Sequence, residues 1–107
     1  MVDEKIKFIE EIKNLANFLD KQYNNELNFR NHCYLRIAYD NVIGDRWDKQ
    51  LEKPFVKYAT IAQLETVIEK LNKYISDKSV LISDNSKSLT FRSKHKIDKN
   101  GNELQLF

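Results

Sequence analysis

The chain is 107 residues long, room for one domain and one core, and 32% of it is charged in near balance, 18 Lys and Arg against 16 Asp and Glu. A net charge of +2 argues against an acidic nucleic-acid mimic and only mildly favours an anionic partner. One cysteine precludes an internal disulfide, and two glycines with one proline leave little material for phosphate-cradling loops, so long regular elements are expected.

Residues 3–23 read as a first helix, capped by Asp3, with Phe8, Ile9, Ile12, Leu15, Ala16, Leu19 and Tyr23 recurring at three- and four-residue steps. Asn24-Asn25 breaks the pattern, since an asparagine side chain competes for backbone hydrogen bonds. A second helix is expected over 26–43, with Phe29, Cys33 and Ile37 on one apolar line and Tyr34, Leu35, Ala38 and Val42 on the next. Gly44 is its natural stop. Residues 45–59 mix aromatic, charged and proline residues without a period and read as a helical turn, a crossing segment and an extended Lys53-Pro54 step.

Thr60 and Gln63 have capping-box spacing, and Ile61, Leu64, Val67, Ile68, Leu71, Tyr74 and Ile75 form the clearest helical stripe in the chain. Residues 77–92 fit either a helix capped by Asp77, aligning Leu81, Ile82, Asn85, Ser88, Leu89 and Arg92, or a hairpin turning at 84–87. The short preceding connection favours the helix. The expected fold is therefore all-α: a small three- to four-helix bundle over 1–92 with a long loop between helices two and three. A basic polar tail over 93–107 follows, forming a short hairpin or staying disordered. No run approaches the ~20 apolar residues of a membrane span. Met-Val-Asp-Glu lacks the pattern of a secretory signal, so the expected location is the cytoplasm.

Catalysis is not indicated, because Walker, Rossmann, nucleophile-elbow, Cys-x-x-Cys and His-Glu-x-x-His patterns are all missing. His32 and Cys33, adjacent on a helix, point about 100° apart and cannot form a dyad. Cys33 reads as a buried structural thiol, and His32 with His95 gives too few ligands for zinc. No cofactor is expected.

Binding is the better reading. His32, Arg36 and Asp40 follow at four-residue steps with Tyr39 beside them, and form either an ordinary solvated face with an Arg36–Asp40 pair or a recognition face for phosphate or carboxylate. Arg46, Trp47, Lys53 and Lys57 supply cations and an aromatic in the irregular segment, where Trp47 is either a core plug or a pocket wall. Asn85, among apolar positions, must find hydrogen-bond partners within the fold or on a ligand, and Arg92 can share that duty.

The strings from Asn31 to Asn41, Arg46-Trp-Asp48, Lys53-Pro-Phe55 and Asn85 to Arg92 resemble a family of small proteins of phage, prophage and gut-bacterial type. Some of these carry an acetyltransferase label, which is not carried over because that fold needs a mixed sheet and a glycine-bearing pyrophosphate loop. The resemblance implies an accessory protein of a mobile element acting against a host defence. The resulting expectation is a non-enzymatic, homo-oligomeric binder of a small anionic, nucleotide-like ligand. Its rivals are a protein inhibitor of a host enzyme and a nucleic-acid binder using the tail's lysines.

Overall fold

The computed structural model describes residues 2–27 and 29–93. Five α-helices follow in order: α1 (Val2–Gln22), α2 (Asn31–Ile43), α3 (Phe55–Tyr58), α4 (Ile61–Ser76) and α5 (Lys78–Ser93), with a 3-10 turn at Trp47–Lys49. Among the described residues there is no strand, and the fold is a small all-α bundle. Of the tail or hairpin expected over 93–107, Ser93 instead ends α5, and residues 94–107 lie outside the described residues.

The apolar stripes define the packing. Ile12, Ala16, Leu19 and Tyr23 of the α1 side, Tyr34, Ile37 and Ala38 of α2, and Leu64, Val67, Leu71 and Tyr74 of α4 are all buried. Each large apolar side chain so buried contributes about 1.5–3 kcal/mol before entropy is subtracted. Just past the end of α1 the Tyr23 hydroxyl donates to the Tyr74 carbonyl near the end of α4 at 2.8 Å, and near the start of α1 Lys5 Nζ donates to the Lys57 carbonyl of α3, which leads into α4, at 2.6 Å, so α1 and α4 run parallel. The Thr60–Gln63 capping box forms in both directions, and Gly44 ends α2 at φ 81°, in the left-handed region.

Two boundaries differ from expectation. The first helix already runs through Asp3, which therefore sits in its first turn instead of capping it. The second helix starts at Asn31 rather than 26, because the chain after Tyr23 turns, with the Glu26 and Leu27 amides donating to the Tyr23 carbonyl. Phe29 thus precedes the helix, yet its ring still meets Tyr34 edge-on at 5.7 Å. Cys33 is half-buried, not enclosed.

Residues 78–93 are helical, and Asp77 caps them by accepting from the Ser79 amide and hydroxyl. Its inward line, however, is Leu81, Asp84 and Ser88, while Ile82 and Leu89 are exposed. With one fully buried apolar side chain, α5 is fastened mainly by polar contacts. The Tyr74 hydroxyl donates to Asp84 at 2.6 Å, Lys70 Nζ lies 3.3 Å from the same oxygen, and Asn41 donates to the Asp84 carbonyl.

Candidate functional site

One face of α2, the irregular segment after it and the last turn of α5 meet around an open cleft of about 410 Å³. It is lined by His32, Leu35, Arg36 and Tyr39 from α2, Arg46, Trp47, Asp48 and Lys53 from the segment, and Arg92 from α5. Seven of the ten expected binding residues are therefore gathered in one place.

An aromatic wall supports one side. Tyr39 stacks flat on Phe55 with ring centroids 3.9 Å apart, and Trp47 meets both edge-on at 5.7 and 5.6 Å. Such pairs fix ring orientation as well as burying area. Burial pushes the Tyr39 phenol up to about 12. Trp47 is only half-buried, so it is both a plug above Phe55 and a surface of the cleft.

Charged side chains line the same cleft. Arg46 grips Asp48 with two hydrogen bonds, from Nε at 2.7 Å and Nη2 at 3.3 Å, and Lys53 Nζ is 4.0 Å from the same carboxylate. Burial raises the Asp48 pKa, but the hydrogen bond and charge of Arg46, with the charges of Arg92 and Lys53, outweigh it and leave the group below its ordinary value. Arg36 donates from Nη2 to the neutral Asn85 amide oxygen at 2.7 Å. Its pKa is lowered by burial first and by the neighbouring Arg92 charge second. Arg36 is thus the half-buried guanidinium of the cleft held by an amide rather than a carboxylate.

Asp40 does not face the cleft. Each four-residue step turns about 40° past a full helical revolution, so two steps from His32 carry Asp40 round to the line of Ile37, where it is 0% exposed. There its Oδ2 accepts from the Ser88 hydroxyl at 2.6 Å and Arg92 Nε at 2.8 Å, and its Oδ1 from the Trp47 amide at 3.0 Å and Arg92 Nη2 at 3.2 Å. The Arg36–Asp40 pair expected on a solvated face is replaced by two ties to α5, Arg36 with Asn85 and Asp40 with Arg92. Asp40 positions the lining from below. Asn85 also acts from behind, through Arg36, and Lys57 lies elsewhere, its Nζ 5.4 Å from the Tyr58 ring centre.

Sequence reasoning missed Leu35, Asp48 and Ser88. The signals were the Arg-x-Asp spacing of 46–48 and the position of Asp40 three residues after Ile37, which marks a carboxylate needing buried donors. Among the described residues, no group of three or more His, Cys, Asp or Glu is placed to hold a metal ion, and no helix is long and apolar enough to cross a membrane. Comparison with protein-family models, with curated proteins and with solved structures finds no match.

Proposed function

We propose that the chain is a non-enzymatic binding protein that captures a small anionic, nucleotide-like ligand in this cleft. The carrying observation is the convergence of Arg36, Arg46, Lys53 and Arg92 on an aromatic wall in one cleft. Arginine forks suit phosphate oxygens, and Trp47 offers a face on which a base can stack. His32, exposed at the rim, and the Tyr39 hydroxyl are further hydrogen-bonding groups.

Because the cleft is open, a second copy of the chain closing over the ligand belongs to the same proposal. With the phage-type resemblance, it extends to sequestration of a signalling nucleotide in counter-defence. Isothermal titration with AMP, cyclic AMP and a cyclic dinucleotide, at protein concentrations well above micromolar, is expected to give saturable heat with at least one of them. Arg36→Ala should then weaken binding about tenfold or more, the loss of one charge-assisted hydrogen-bonding group. Absence of heat with all three overturns the reading.

The rival reading, inhibition of a host protein, draws on Ile82 and Leu89, which are 40% and 52% exposed and seven residues apart on α5. It expects Leu89→Glu to abolish a protein complex while leaving nucleotide titrations unchanged.

A further inference from the structure

The cleft already contains an anion of its own. Asp48 lines it, accepts two hydrogen bonds from Arg46 and stands 4.0 Å from Lys53, the geometry that a ligand's carboxylate or phosphate would otherwise adopt. Arg92 is likewise committed, to the buried Asp40. The cations therefore fall into two kinds. Arg46 and Arg92 are neutralised by a neighbour, while Arg36 is held by a neutral amide and Lys53, with a side chain 74% exposed, touches Asp48 only at the limit of an ion pair.

We propose that Asp48 is an internal competitor that sets the charge class of the ligand, so that the cleft accepts a phosphomonoester dianion and discriminates against monoanions such as phosphodiesters and carboxylates. The inference rests on the binding reading above and deepens it. A tethered group competes at an effective concentration on the order of millimolar, and Asp48 is tethered two residues from its arginine. A monoanion that displaces it from Arg46 exchanges one single charge for another and gains little. A phosphomonoester carries about −1.5 to −2 charges at pH 7 and three acceptor oxygens, enough to meet Arg36 and still outbid a carboxylate at Arg46 or Lys53. The depressed Asp48 pKa keeps the competitor ionised at neutral pH.

AMP and 3′,5′-cyclic AMP share a base and differ in phosphate charge, so the pair isolates this effect. For the wild-type protein, titration at fixed ionic strength is expected to show AMP binding tenfold or more tighter than cyclic AMP. The ratio of AMP to cyclic AMP affinity should also rise between pH 5 and pH 7 as the second phosphate proton leaves with a pKa of about 6. In Asp48→Asn the preference should shrink to about threefold or less, chiefly because cyclic AMP binds more tightly, and Asp48→Glu should keep it. An unchanged ratio in a folded Asp48→Asn, verified by far-ultraviolet circular dichroism, overturns the role of Asp48 while leaving the cleft's function standing. Should Asp48→Asn not fold, the wild-type ratio and pH profile decide the matter, and equal affinities with parallel pH dependence count against it. Failure of AMP, cyclic AMP and the cyclic dinucleotide alike to bind removes the binding reading itself.

Discussion

At the scale of single residues, Asp40 carries more of the architecture than any other polar group. Its two oxygens take four hydrogen bonds from Trp47, Ser88 and Arg92, joining α2, the crossing segment and α5. A buried ion pair adds little net stability over an apolar replacement, but removing one partner leaves the other charge uncompensated. Asp40→Ala is therefore expected to cost about 3–5 kcal/mol in urea unfolding. The double variant with Arg92→Ala should cost less than the sum of the two single losses, because the second change removes the stranded guanidinium. The sequence disclosed which residues come together around one cleft better than what each one touches. His32, Arg36, Tyr39, Trp47 and Arg92 do line one cleft, yet Asp40 had to be told apart from a surface acid by a drift of 80° along the helix, and its side-chain donors, Ser88 and Arg92, lie 48 and 52 residues away.

At the scale of elements, local signals decided what long-range contacts did not override. The Thr60 hydroxyl accepts from the Gln63 backbone amide at 3.1 Å and the Gln63 side-chain oxygen accepts from the Thr60 backbone amide at 2.9 Å, as the capping-box spacing requires. Thr60→Ala is expected to destabilise the protein by about 1 kcal/mol, with Thr60→Ser nearly neutral, measured as a shift in urea midpoint at constant slope. The start of α2 was misplaced because Phe29 fits the apolar spacing of a helix while packing on Tyr34 from outside one. The two readings of 77–92 were close for a related reason. The side of α5 that turns inward presents Asp84 and Ser88, so apolar periodicity could not orient it, and only the partners on α2 and α4 reveal which face is inside.

For the molecule as a whole, the core is unusually rich in phenols. Tyr34 and Tyr39 are pushed up to about 12 by burial, with Asp20 adding to the effect at Tyr34, and Tyr74 is raised further by burial and its hydrogen bond to Asp84. The folded protein therefore holds protons that the unfolded chain releases near pH 10, and stability falls where the unfolded state binds fewer. This contribution is complete below about pH 10 and is lost progressively as pH rises through 12, ~1–3 kcal/mol for each phenol. Absorbance at 295 nm is expected to show Tyr34, Tyr39 and Tyr74 ionising together with unfolding; independent titration of all five tyrosines near pH 10 in a folded protein would contradict it. The overall bundle was legible from the stripes of α1 and α4, whereas the cleft exists only once α2, the crossing segment and α5 are assembled. The hydrogen bond from the Trp47 amide to Asp40 makes that assembly observable. An amide in an irregular segment ordinarily exchanges its hydrogen with solvent quickly, but this one ends on a carboxylate sealed beneath α5. Its deuterium uptake should be as slow as that of the central amides of α5, so one loop proton reports the opening of the whole helical face.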